Sequence, residues 1–101
     1  MRRAARVDAN QKQIVEYLRK HGCSVQVLHT VGKGCPDILV GYGGKNYLFE
    51  IKDGQKSKSA QKLTPDEDAW HFNWRGQVDV VTCEYDCDVA MNVMDWDEKD
   101  V

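Results

Sequence analysis

The clearest pattern along the chain is a pair of short runs rich in β-branched, aliphatic and aromatic residues, Ile38 to Tyr42 and Asn46 to Ile51, separated by Gly43-Gly44. A diglycine step supplies the positive φ that a tight hairpin turn needs, so the runs read as strands folded on each other. With Gly43 and Gly44 as the loop, Tyr42 faces Lys45 and Asp37 faces Glu50. Alternation along the second strand puts Lys52 on the face of Glu50 and turns Phe49 and Ile51 into the core.

Elsewhere the spacing is helical. Ile14, Tyr17 and Leu18 predict an amphipathic helix from about Asn10 to His21, with Asn10 as its cap, Gln13 completing a capping-box pattern and Gly22 ending it. Glu16 lies roughly opposite Ile14 and Leu18, at about 100° per residue, and so faces solvent. Ser24 to His29 suits a first strand, with His29 structural or exposed, and leads into the glycine-rich stretch Val31-Gly32-Lys33-Gly34. Thr64-Pro65-Asp66-Glu67 combines a cap, a proline at the first helical position and acids on the helix dipole, opening a helix to about Arg75. Gly76 closes it, Val78 to Cys83 makes another strand, and Asp86 to Met94 a short final helix. The predicted order is α-β-β-β-α-β-α, an α/β chain with a mixed sheet in a single domain over residues 1–101.

Composition narrows the setting. A chain of 101 residues buries only a modest core, so dimerisation would help it. No apolar run approaches the roughly 18 residues a bilayer requires, and Met1-Arg2-Arg3 is not followed by a signal-peptide apolar stretch, so a cytoplasmic location is expected. Cys23, Cys35, Cys83 and Cys87 form no paired CxxC set and are expected to be reduced and structural. The net charge of −2 conceals an asymmetry: residues 1–62 hold 12 Lys and Arg against 5 Asp and Glu, and residues 63–101 hold 2 against 11.

Such a distribution permits a basic face toward phosphates. Met1 to Asp8 reads as a basic arm, and residues 95–101 as an acidic tail. Asp53 to Lys62 reads as an exposed basic loop in which Lys56, Lys58 and Lys62 meet a nucleic-acid backbone. Gly32 and Gly34 let backbone amides approach a phosphate beside Lys33, although no Gly-Lys-Ser/Thr precedes a helix as a Walker loop requires. Trp70, Trp74 and Trp96 are assigned to core or interface rather than to base stacking.

The chemistry concentrates at the base of the hairpin. Directly opposed positions have Cβ atoms roughly 4.5 to 5.5 Å apart, and like charges there repel, so Asp37 and Glu50 are a poor pair for a purely structural hairpin. A divalent cation reverses that penalty. Hard cations such as Mg²⁺ take one or two carboxylates, keep several waters and accept phosphate oxygens, which is the chemistry of phosphodiester cleavage. On this reading, removing either carboxylate relieves repulsion in the metal-free protein.

Pro36-Asp37, followed one hairpin later by Glu50-Ile51-Lys52, resembles the PD-(D/E)xK signature of the restriction-endonuclease-like nucleases. The wider context is similar to the VRR-NUC branch in its small stand-alone, phage-type form. It comprises Tyr17-Leu18-Arg19-Lys20-His21-Gly22, Gly32 to Asp37, Glu50 to Gly54, Leu63-Thr64-Pro65 and Trp70, and so covers nearly the whole chain. The resemblance implies a restriction-endonuclease-like core and a metal-dependent endonuclease acting on DNA, branched DNA in particular, in a host cytoplasm. It implies Asp37 and Glu50 as ligands of Mg²⁺ or Mn²⁺ with the Ile51 carbonyl as a further ligand. Lys52 then either helps to position and deprotonate the attacking water or stabilises charge in the transition state.

The resemblance also implies a homodimer, for which Phe72, Trp74 and Trp96 offer an apolar patch. The family's first helix contributes a carboxylate where this chain has Gln11, leaving Gln11 as a neutral accessory residue that acts through its amide. Family members often carry a glutamine near the first turn of the later helix, where Glu67 stands. Two other readings stay open: a DNA-binding module of the same fold that does not cleave, motivated by Gln11, and a small interaction protein in which Asp37 and Lys52 form an ion pair.

Overall fold

The computed structural model describes residues 9–96, so the basic arm at 1–8 and residues 97–101 of the acidic tail lie outside the described residues. Helix α1 (Gln11–Lys20) turns Ile14, Val15 and Leu18 into the core. Its start is not capped as the local pattern predicts. The Asn10 amide donates to the carbonyls of Lys52 at 3.1 Å and Thr82 at 2.9 Å, and the Gln13 amide donates to Glu84 Oε2 at 2.7 Å. Tertiary acceptors outcompete the local cap and fasten the helix start to two strand ends.

Strand β1 (Ser24–Val27) is shorter than expected, although the Leu28 N–H still donates to the Asp37 carbonyl at 2.8 Å. The hairpin has the predicted register. Strands β2 (Ile38–Tyr42) and β3 (Lys45–Ile51) pair antiparallel with Tyr42 opposite Lys45 and Ile38 opposite Phe49. Gly43 and Gly44 take φ of 60° and 79°, the left-handed conformation the turn demands.

Where an open basic loop was expected, Ser57 Oγ accepts the Ala60 N–H and caps a one-turn helix, α2 (Lys58–Gln61). The order therefore gains one helix over the prediction. Helix α3 (Pro65–Asn73) follows, closed at its start by a full capping box between Thr64 and Glu67. Strand β4 (Asp79–Val81) returns beside β3 in parallel, giving a mixed sheet in the order β1-β2-β3-β4. Helix α4 (Glu84–Ala90) starts two residues before the predicted position because Asp86, placed inside the first turn, accepts from the Thr82 N–H and hydroxyl at 2.8 and 2.9 Å. It stops short of Met94, and Asn92 turns the chain with φ 60°.

One face of the sheet carries the core. Ile38, Val40, Phe49, Ile51 and Val81 meet Ile14 and Leu18 of α1 and Cys87 of α4. Trp96, assigned to core or interface, packs against the core, stacking on His21 at 4.7 Å and donating its indole N–H to the Tyr17 hydroxyl at 2.9 Å. All four cysteines are free thiols; burial pushes Cys23 up to about 11 and Cys87 up to about 12. Among the described residues no helix is long and apolar enough to cross a membrane.

The opposite face, onto which alternation turns Leu48, Glu50 and Lys52, is the one α3 approaches. Gly34 makes that approach possible: it has φ 83°, and a Cβ there would sit 2.2 Å from the Asp66 carbonyl oxygen. Gly34→Ala is therefore expected to cost about 2 kcal/mol or more from strain and backbone collision together. Urea denaturation would read this as a lowered midpoint, and an unchanged midpoint would refute the contact.

Candidate active site

Pro36 is fully buried, fixing the chain where β2 begins. From there Asp37 reaches across to β3, and its Oδ2 accepts the Ile51 N–H at 2.6 Å. The Ile51 side chain is in the core, as expected, while its backbone is tied to Asp37. Glu50 is 2% exposed. Its Oε2 lies 3.9 Å from Lys52 Nζ, and its Oε1 is buried without a hydrogen-bond partner.

Lys52 is held on all sides. Its N–H donates to the Val81 carbonyl at 2.9 Å, its own carbonyl accepts from Asn10, and its ammonium donates to Glu67 Oε1 at 2.7 Å. The same Glu67 oxygen accepts the Thr64 N–H at 2.9 Å. Glu67 thus caps α3 and anchors Lys52 at once. Lys52 thus pairs with Glu67 and lies within ion-pair distance of Glu50.

The electrostatics follow from burial. Loss of solvent, then the Asp37 charge, then the nearby Glu67 push the Glu50 carboxyl up to about 9. Burial also raises the Cys35 thiol, with further contributions from the charges of Glu50 and Asp37. For Glu67 burial acts upward, but the hydrogen bonds from Lys52 and the Thr64 N–H, with the Lys52 charge, outweigh it and hold the carboxyl below its usual range.

The two carboxylates are not equivalent in the fold. Removing the Glu50 carboxylate relieves crowding at the expense of one long contact with Lys52, whereas removing that of Asp37 orphans the Ile51 N–H, a loss of about 1–3 kcal/mol. For Asp37 the expected relief of repulsion is therefore set against the loss of this hydrogen bond.

Asp37, Glu50 and Lys52 therefore converge as the sequence predicts. Gln11 is buried in the first turn of α1, next to the Asn10 that holds the Lys52 carbonyl. Lys33, Lys56, Lys58 and Lys62 are exposed, outside the carboxylate cluster. The roles of Asn10 and Cys35 carried no signal in the sequence. Glu67 did: Thr64 with Glu67 three residues on is a capping-box spacing, which fixes that carboxylate at the helix start.

Among the described residues no group of three or more His, Cys, Asp or Glu converges as a metal centre. The donor set is instead two carboxylates. A buried carboxylate oxygen lacking any partner, facing a second carboxylate, fits a hard divalent cation that keeps most of its waters.

Fold and site together define a restriction-endonuclease-like arrangement: a mixed sheet with paired carboxylates and a lysine at the base of a central hairpin. A solved structure described as a VRR_NUC domain superposes with a TM-score of 0.61 at 25% identity, covering 84% of this chain and 92% of its own. The resemblance seen in the sequence is borne out: the chain shares the nuclease-family fold of that VRR_NUC domain. No family model and no curated protein matches the chain.

The raised pKa of Glu50 ties its protonation to stability. Between the ordinary value of 4.5 and about 9 the folded state keeps a proton that the unfolded chain loses, so stability falls as pH rises through that window. Urea midpoints measured in EDTA across this range should decline in the wild type and decline less in Glu50→Gln. Parallel slopes would show that Glu50 titrates normally.

Proposed function

We propose that the protein is a divalent-metal-dependent DNA endonuclease that hydrolyses phosphodiester bonds at Asp37, Glu50 and Lys52. The observation that carries this reading is the buried Glu50 carboxylate, with an unpartnered oxygen, set against Asp37 on a VRR-NUC-type fold. Asp37 and Glu50 would hold Mg²⁺ or Mn²⁺, with the Ile51 carbonyl as a further oxygen donor. The bound ion supplies a Lewis acid for the phosphate and its attacking water. Binding requires Glu50 to release its proton, so metal affinity rises with pH.

Lys52 supplies the positive charge that meets the scissile phosphate. Its bond to Glu67 holds the ammonium in place beforehand, so little reorganisation is needed when charge develops on the phosphate oxygens. Gln11 takes the place of a first-helix acid and offers an amide instead of a third charge. Lys33, Lys56, Lys58 and Lys62 grip phosphates on either side, a salt-sensitive contribution.

Branched DNA as substrate, a homodimer and work in the cytoplasm complete the reading. A dimer would draw on Phe72, which is 87% exposed, and not on Trp96, which is committed within its own chain. The buried Gln11 favours a second reading, a non-cleaving DNA-binding module of the same fold.

Cleavage of branched, single-stranded and duplex DNA in Mg²⁺, Mn²⁺ or EDTA separates the two. Asp37→Asn, Glu50→Gln and Lys52→Ala should each lower turnover by about a hundredfold or more while DNA is still bound. Binding without metal-dependent cleavage by the wild type would establish the second reading. Light scattering should give twice the 11.5 kDa chain mass at micromolar concentration; the chain mass alone would remove the dimer.

A further inference from the structure

Helix α3 buries none of its residues, yet it carries Trp70 and ends on Trp74. The two indoles stack on each other at 4.6 Å with 21° between their planes, and neither joins the hydrophobic core. Trp74 is 44% exposed and fixed in place, its indole N–H donating to the Gln77 carbonyl at 3.2 Å. Beside them lies a hollow of about 310 Å³ lined by Lys33, Asp66, Ala69, Trp70, Asn73 and Trp74.

We propose that this hollow receives an unpaired nucleobase of the DNA strand being cut, with the base stacked on the tryptophan pair and its phosphate on Lys33. The inference rests on the nuclease reading and adds a substrate feature to it. An aromatic face with an adjacent cation is how single-stranded nucleic acid is gripped without regard to sequence. Asp66 at the rim offers an acceptor to the N–H edge of a base.

Placement joins the hollow to the reaction centre. Trp74 also lines a recess with Leu39 and Leu48, and Leu48 shares its sheet face with Glu50. Lys33 stands four residues before Asp37, on the loop whose Gly34 abuts Asp66. Glu67, on the same helix as Trp70, holds Lys52. A strand whose phosphate meets Lys52 would then carry its neighbouring nucleotide toward the hollow, along the helix that Glu67 ties to that lysine. Paired duplex keeps its bases stacked inside and has none to offer, so the site selects DNA with unpaired nucleotides beside the scissile bond.

The test is binding of the full chain in EDTA, read by fluorescence anisotropy on labelled DNA. The probes are a splayed fork, a duplex of equal length, and the same fork with abasic residues in its single strands. Trp74→Ala should weaken fork binding about tenfold, within the 1–3 kcal/mol typical of one stacked base, and duplex binding far less. Abasic forks should lose a similar factor on the wild type and nothing further on Trp74→Ala.

Equal losses on fork and duplex, or an abasic fork bound as tightly as the normal one, would overturn the proposal. Should Trp74→Ala fail to fold, the abasic comparison on the wild type decides by itself, and Trp74→Phe, which keeps a ring, should retain most of the fork affinity. A variant that loses dimer mass in light scattering while binding forks normally would assign the hollow to a second copy of the chain and sink the base site. Base-dependent fork binding with no metal-dependent cleavage would uphold the site and remove the nuclease reading; cleavage without base dependence would do the reverse.

Discussion

Two carboxylates forced together at the base of a hairpin, one of them almost fully buried, are the constraint around which the molecule is arranged. An uncompensated charge in such a place costs several kcal/mol. The fold meets that cost by keeping Glu50 protonated, by giving Asp37 the Ile51 N–H at 2.6 Å, and by setting Lys52 between Glu50 and Glu67. The core on the far face of the sheet supplies the stability that lets this strain persist. Ile38, Phe49 and Ile51 alternate with the site residues on the same two strands, so core and site are fixed by one register.

Bracing comes from elements distant in sequence. The amide of Asn10 reaches 42 residues along the chain to the Lys52 carbonyl and 72 to that of Thr82. Gly34 lets the loop before Asp37 lie against the start of α3, and Glu67 returns from that helix to Lys52. A single oxygen of Glu67 both closes the helix cap and binds the ammonium, so helix formation and lysine placement are one event. A glutamine there would cap comparably but hold Lys52 without a charge.

What the sequence by itself determined was whatever short-range physics dictates. The diglycine turn set the hairpin register as far as Ile38 opposite Phe49, and strand alternation then carried Asp37 toward Glu50 with Lys52 on the same face. The helical spacing of Ile14 and Leu18 located α1, and the Thr64-Pro65 start located α3. Local rules failed where a distant partner was stronger. Asn10 and Gln13 left the cap for tertiary acceptors. The tertiary structure alone decided that Glu67 owns Lys52, that Glu50 keeps its proton, and that Trp70 and Trp74 stand outside the core. Those outcomes depend on which surfaces meet and how much water they exclude, and spacing along a chain carries no record of either.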